Sequence, residues 1–193
     1  LYGLQIKTSG RVYEPSEDTF LLISALQDLD LKDKTVLEIG TGSGIIALFT
    51  ARLAKSVLAV DINPEALTCA KENAEQNKIK NIEFMQSDLF ENINKKFDII
   101  LFNPPYLPDE PLTQDIALDG GPDGRNIIKR FLKDAPQFLN CNGNILILES
   151  SLSHYKKTPA FFKKFKNHRF SAEIVAKEKF DWEELVVIKI TNL

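Results

Sequence analysis

The tetrad Asn103-Pro104-Pro105-Tyr106 carries the clearest chemistry in this chain. Two consecutive prolines supply carbonyl oxygens and no N–H. The side-chain oxygen of Asn103 adds another acceptor. Such a surface suits an NH₂ group on a planar system, with its two protons held by Asn103 and a main-chain carbonyl, that of Pro104. The nitrogen of an amide or aromatic amine is a poor nucleophile because resonance withdraws its lone pair. Holding both protons lets the nitrogen pyramidalise and expose that pair, and the acceptors stabilise the positive charge that then grows on it. No permanent base is needed, because the alkylated nitrogen turns acidic and sheds a proton afterwards. Tyr106 offers a ring to pack against the planar group. Asn103, Pro104 and Tyr106 are therefore the candidate catalytic residues, and Asn103 to Tyr106 together the candidate substrate site. A proline-rich loop closing a strand is the structural alternative.

A second constellation lies upstream. Glu38-Ile39-Gly40-Thr41-Gly42-Ser43-Gly44 has the spacing G-x-G-x-G, with Ile45 where a dinucleotide fingerprint places its third glycine. Glycines allow a tight turn and close approach of main chain to a ligand. Asp61 follows Gly40 by 21 residues, where an acid can accept both hydrogen bonds of a ribose diol. Asp88 and Leu89 suit an adenine, one accepting its amino group and the other covering its ring. Each acid alone reads as a loop or cap residue; three at three successive strand ends point to a nucleoside-containing cofactor. Glu38 places negative charge beside the loop, which repels a pyrophosphate and attracts a sulfonium and an ammonium. The reading favours S-adenosylmethionine over NAD, with Glu38, Gly40, Gly42, Asp61, Asp88 and Leu89 as cofactor residues and Asn103 bordering both ligands.

These residues need elements that bring them to one edge. Thr35–Gly40, Ser56–Asp61, Ile82–Met85, Phe97–Phe102 and Asn144–Leu148 read as strands. Helical patterns cover Ile45–Leu53, a segment from Pro64 capped by Asn63, and Asn126–Phe138. The alternation predicts parallel βαβ units with helices on both faces. Ser171–Ala176 and Leu185–Ile190 add an antiparallel hairpin around Asp181-Trp182. The expected fold is thus α/β and Rossmann-like, a seven-stranded, mostly parallel sheet ending in a hairpin. Ser16 is expected to cap a helix starting Glu17-Asp18-Thr19, with both acids complementing its dipole. Residues 1–193 make a single domain, an arm and helix over 1–33 covering the cofactor site and a sheet core over 34–193.

The chain has 193 residues, 44% of them hydrophobic and 26% charged, as in an ordinary globular domain. No apolar run approaches the roughly 20 residues of a membrane span. The first residues lack a signal-peptide stretch, and Cys69 and Cys141 form no metal-spaced pair, so a cytoplasmic protein with reduced thiols and no metal is expected. A net charge of −3 argues against stable nucleic-acid binding. Lys156, Lys157, Lys163, Lys164, Lys166 and Arg169 lie beside Phe161, Phe162 and Phe165, which reads as a solvated basic face over an apolar one. His154 and His168 have no partners at ligand spacing.

The glycine loop, Asp61, Asp88 and the tetrad resemble those of class I methyltransferases that modify amino nitrogens. Val12-Tyr13-Glu14-Pro15-Ser16-Glu17-Asp18-Thr19-Phe20-Leu21-Leu22 and Leu118-Asp119-Gly120-Gly121-Pro122-Asp123-Gly124-Arg125 are similar to segments of the HemK-like release-factor glutamine methyltransferases, in their short archaeal and eukaryotic branch. The resemblance runs over nearly the whole chain. It implies methyl transfer to the side-chain nitrogen of the glutamine in a release factor's Gly-Gly-Gln loop. It also implies that Thr19, Glu38, Gly40, Asp61, Asp88 and Leu89 touch the cofactor and that Asn103 to Tyr106 hold the substrate. Some relatives work with a small zinc-binding activator docked along a sheet edge, which makes such a protein a candidate second partner.

The tetrad's chemistry alone leaves other acceptors open. An adenine amino group of nucleic acid satisfies it equally, although duplex DNA requires base flipping and a strand-holding surface. Lysine methylation lacks an evident base. A nicotinamide oxidoreductase and a noncatalytic cofactor-binding protein leave the tetrad unexplained. The glycines at 120, 121 and 124 read either as a loop admitting substrate or as a turn before the helix at Asn126.

Overall fold

The computed structural model describes residues 2–8, 10, 12–108, 120–164 and 169–193. Leu118 and Asp119 of the glycine-rich motif, and Phe165, Lys166 and His168 near the basic stretch, lie outside the described residues.

Seven strands form one sheet: β1 (Thr35–Ile39), β2 (Ser56–Asp61), β3 (Ile82–Gln86), β4 (Phe97–Phe102), β5 (Leu139–Ser150), β6 (Phe170–Lys179) and β7 (Glu184–Asn192). Their order is β3-β2-β1-β4-β5-β7-β6. The first five run parallel; β7 adds antiparallel to β5, and β6 pairs antiparallel with β7 at the edge. The helices are α1 (Glu17–Leu26), α2 (Ile45–Ala51), α3 (Pro64–Gln76), α4 (Asn126–Asp134) and α5 (Lys157–Phe162). The fold expected from the alternating pattern is the one observed.

Alternation along each strand builds two cores. Val36, Val57, Ala59, Ile99, Leu101, Leu146 and Leu148 face α1 and α2. Leu37, Leu58, Val60, Ile100, Ile145 and Ile147 face α4 on the other side. Strands covered on both faces read as continuous apolar runs, which is why β1, β2 and β4 were legible. The register places Ile39 beside both Val60 and Phe102. The ends of β1, β2 and β4 therefore lie level, and Gly40, Asp61 and Asn103 leave the sheet at one edge. Strand order reverses between β1 and β4, the switch point at which open α/β sheets bind ligands.

Several local expectations need correction. Ser16 holds the first cap position of α1 but makes no side-chain cap; its hydroxyl donates to the Glu17 carboxylate instead. The helix predicted over Asn126–Phe138 stops being α-helical at Asp134 and continues as a 3-10 turn, Ala135–Phe138. Pro136 has no N–H for the helical ladder, which accounts for the change. Strand β5 starts at Leu139, five residues earlier than its apolar run: Leu139 pairs with Phe97, and the register shifts, with Asn142 at φ 59°, before Asn144 pairs with Ile99. By contrast, Asn63 caps α3 as expected, its side chain accepting the Glu65 N–H at 2.9 Å. Lys156, Lys157, Lys163 and Lys164 are exposed while Phe162 is buried beneath them. Among the described residues, no helix is long and apolar enough to cross a membrane.

Candidate functional site

Two hydrogen-bonded units meet at the carboxyl edge of the central strands. The first begins where β1 ends. Gly40, Gly42 and Gly44 all adopt positive φ, at 67°, 54° and 82°. At Gly44 a side chain would stand 2.8 Å from the Ala70 Cβ, so the loop lies directly against α3. At Gly42 a Cβ would meet nothing within 4 Å, and its N–H donates to Asp61 Oδ2 at 2.9 Å. The other Asp61 oxygen accepts the Asn63 N–H at 2.9 Å. Burial pushes the Asp61 carboxyl above its ordinary value, against the pull of these N–H groups.

Glu38 lies on the α1–α2 side of β1 and is only 2% exposed. Thr41 donates its hydroxyl to Glu38 Oε2 at 2.6 Å, while Oε1 is buried with no partner. Burial raises its pKa to about 8, opposed by the Thr41 hydrogen bond, reinforced by Asp61, and opposed more weakly by the Ala47 N–H at the start of α2, which is not within hydrogen-bond geometry of Oε1. A buried acceptor without a donor is costly. This one stands beside a loop whose Gly40 and Gly42 present bare main chain, an arrangement fitted to a cationic ligand.

The second unit centres on Asp18, a residue the sequence reading assigned only to the helix dipole. It is 4% exposed. Its Oδ1 accepts the Thr19 N–H at 2.5 Å and the Thr19 hydroxyl at 3.2 Å. Its Oδ2 accepts the Tyr13 hydroxyl and the Asn103 side-chain N–H, both at 3.0 Å. A carboxylate only accepts, so it selects the amide's NH₂ side and thereby fixes which way Asn103 points. Asn103 Oδ1 is left buried and unpartnered. Tyr106 is half-buried and packs against both cores. Its hydroxyl is held far above its usual pKa by burial first, then by Asp18 and Glu183. The start of α1 and the β6–β7 turn therefore both flank the tetrad.

The remaining sequence candidates fall nearby. Ser87 donates its N–H to the Asp61 carbonyl at 3.0 Å, which ties the end of β3 to the end of β2. Leu89 is buried with φ 49°. Asp88 Oδ2 is engaged by Arg130 of α4 at 2.8 Å, a partner not anticipated from sequence. Among the described residues, no cluster of His, Cys, Asp and Glu has metal-holding geometry. The signal that would have exposed Asp18 is periodicity. It shares a helix face with Leu21, Leu22 and Ala25, all buried, and a carboxylate on an apolar stripe needs a reason.

Comparison with known proteins adds to this geometry. The family described as Methyltransferase small domain matches residues 14–181. A Methanocaldococcus jannaschii protein named provisionally as a protein N5-glutamine methyltransferase is 47% identical over 99% of this chain and 97% of its own length. The release factor glutamine methyltransferase of Streptococcus pneumoniae is 34% identical over 97% of this chain and 70% of its own length. Among solved structures, a chain of the E. cuniculi Mtq2–Trm112 complex, described as responsible for methylating the eRF1 termination factor, superposes with a TM-score of 0.77. It is 28% identical, over 95% of this chain and 99% of that one.

Proposed function

Because the chain belongs to the Methyltransferase small domain family, and within it to the HemK-like release-factor glutamine methyltransferases, we propose that it methylates the side-chain amide nitrogen of a glutamine in a peptide chain release factor. The observation that carries the site assignment is the unpartnered Oδ1 of Asn103 beside an Nδ2 that Asp18 has already claimed. One buried acceptor, fixed in direction, awaits one N–H of the incoming amide. The Pro104 carbonyl takes the other.

When bound, S-adenosylmethionine supplies an electrophilic methyl group. Glu38 and the main chain at Gly40 and Gly42 would hold its cationic end, Asp61 its ribose, and Asp88 and Leu89 its adenine; Thr19 would close the site from α1. Asn103 and Pro104 hold the two amide protons, which turns the nitrogen lone pair away from its carbonyl. Their oxygens also face the positive charge that develops on nitrogen. Tyr106 stays protonated at any physiological pH, so it packs and orients rather than accepting a proton. After transfer the nitrogen loses its extra proton to solvent.

The arm and helix over 1–33 belong with the sheet core as one domain, since Asp18 reaches Asn103. The reading places the enzyme in the cytoplasm, where translation ends. It also includes a small zinc-binding activator docked at an open sheet edge, β3 or β6, as a second partner. Incubation with labelled S-adenosylmethionine and a release factor, with and without such an activator, tests the reading. Label is expected on Gly-Gly-Gln and not on a Gly-Gly-Ala variant or on DNA. Equal label on both release factors, or label on DNA, would sink it.

A further inference from the structure

The turn Gly120–Arg125 makes unusually close main-chain contact with the tetrad. A Cβ on Gly120 would stand 2.7 Å from the Pro105 carbonyl oxygen, and one on Gly124 would stand 2.3 Å from that of Tyr106. Real Cβ atoms do not come so near; one on Gly120 would equally meet the Gly124 carbonyl at 2.7 Å, and Gly124 holds φ 65°, so glycine at both positions lets the turn close on itself and lie against the tetrad. Gly120 also donates its N–H to the Leu107 carbonyl at 2.7 Å. Three successive carbonyls after Pro104 are therefore contacted by one turn.

That turn is itself anchored. Arg125 is 2% exposed and Glu149, at the end of β5, is fully buried. Arg125 Nη1 reaches Glu149 Oε2 at 2.6 Å and the Ser153 carbonyl at 2.7 Å. Its Nη2 reaches the Thr158 hydroxyl at 2.7 Å, and Thr158 in turn donates to Glu149 at 2.5 Å. Each oxygen of the carboxylate thus has its own donor from this group. The anchor lies in the sheet, in the segment leading to α5 and in α5 itself, not in the tetrad.

We propose that Gly120–Arg125 is a positioning clamp for the acceptor site: Arg125 and Glu149 fix the turn to β5, and Gly120 and Gly124 press it onto Pro105–Leu107 so that the Pro104 carbonyl is held for the substrate N–H. The proposal rests on the tetrad being the acceptor site. The residues of the clamp are positioning residues; none is placed against cofactor or substrate.

Gly124→Ala is the direct test. The conflict is with main chain and Gly124 sits at φ 65°, so the contact between the turn and the Tyr106 carbonyl must shift, and a displacement near 1 Å costs turnover about 100-fold. We expect that loss in kcat with S-adenosylmethionine affinity, measured by calorimetry, unchanged within about threefold. The double variant Arg125→Met with Glu149→Leu removes the anchor without leaving a buried charge; it is expected to fold and to lose about tenfold in kcat with the same split. A folded Gly124→Ala enzyme with normal kcat overturns the proposal. So does a parallel loss of cofactor affinity, or failure of both variants to fold, since the motif would then serve the fold as a whole. Wild-type enzyme that labels an adenine rather than glutamine would refute the substrate reading alone; the clamp is then judged on that acceptor by the same split.

Discussion

Two buried polar regions share the carboxyl edge of this sheet and differ in how they are completed. At β5, Glu149 is matched by Arg125 and Thr158, all from the chain itself. At β1 and β4, Glu38 Oε1 and Asn103 Oδ1 are equally buried and have no partner. Among the described residues only Thr50 Oγ1, inside α2, shares that condition. Stability alone favours the first arrangement, because an unpaired buried acceptor costs about 1–3 kcal/mol. The second persists where a ligand can complete it. Closed networks hold a site together, and open ones mark where something must bind.

The comparison breaks most visibly at Asn103. Asn103→Ala deletes the open acceptor and is expected to lower turnover about a thousandfold, the upper range for one preorganised hydrogen-bonding group. Single-turnover transfer from labelled S-adenosylmethionine measures it, and calorimetry should find cofactor affinity nearly intact. Wild-type turnover in this variant would remove the mechanism. In the closed region the corresponding deletion acts on stability. Arg125→Met leaves Glu149 buried and uncompensated, at a cost of about 3 kcal/mol, read as a shift of the denaturant midpoint. Glu38→Gln, in the open region, should be neutral or stabilising by the same measurement. If both variants unfolded alike, the distinction between the regions would fail.

How far the sequence spoke follows from the same contrast. Apolar runs and glycine spacing made β1, β2, β4 and the loop at Gly40 readable, because burial on both faces and positive φ leave few alternatives. The acceptor character of the tetrad was readable because proline cannot donate. Pairings across the chain were not readable. Asp18 and Asn103 are 85 residues apart, Arg125 and Glu149 are 24, and nothing local says which acid meets which donor. Both acids still left a trace, a charge where periodicity demanded an apolar residue: Asp18 on the buried face of α1, Glu149 in step with Ile145 and Ile147. Asp88 shows the converse, an acid whose place was legible while its partner Arg130 was not.

Glu38 separates the regions on the cofactor side with a smaller effect. Glu38→Gln keeps an oxygen for Thr41 and removes the charge, so S-adenosylmethionine affinity is expected to fall about tenfold, near 1.4 kcal/mol. An equilibrium titration that found equal affinity would show that the carboxylate does not hold the cationic end.

The pH dependence sharpens this further. Unfolded, Glu38 ionises near its ordinary 4.5; folded, burial raises it to about 8. Between those values the folded state keeps a proton that the unfolded state has lost, so stability falls as pH rises through that window. A bound cation favours the ionised form and reverses the preference. Below about pH 8 cofactor binding must then release a proton, and affinity should rise with pH and level off above it. The same titration of Glu38→Gln subtracts whatever the cofactor's own groups contribute. The wild-type slope should exceed the variant's by a few-fold in affinity per pH unit at most, since one proton limits it to tenfold. Coincident slopes would mean that Glu38 keeps one protonation state through binding, and that the bound cation does not draw a proton from it.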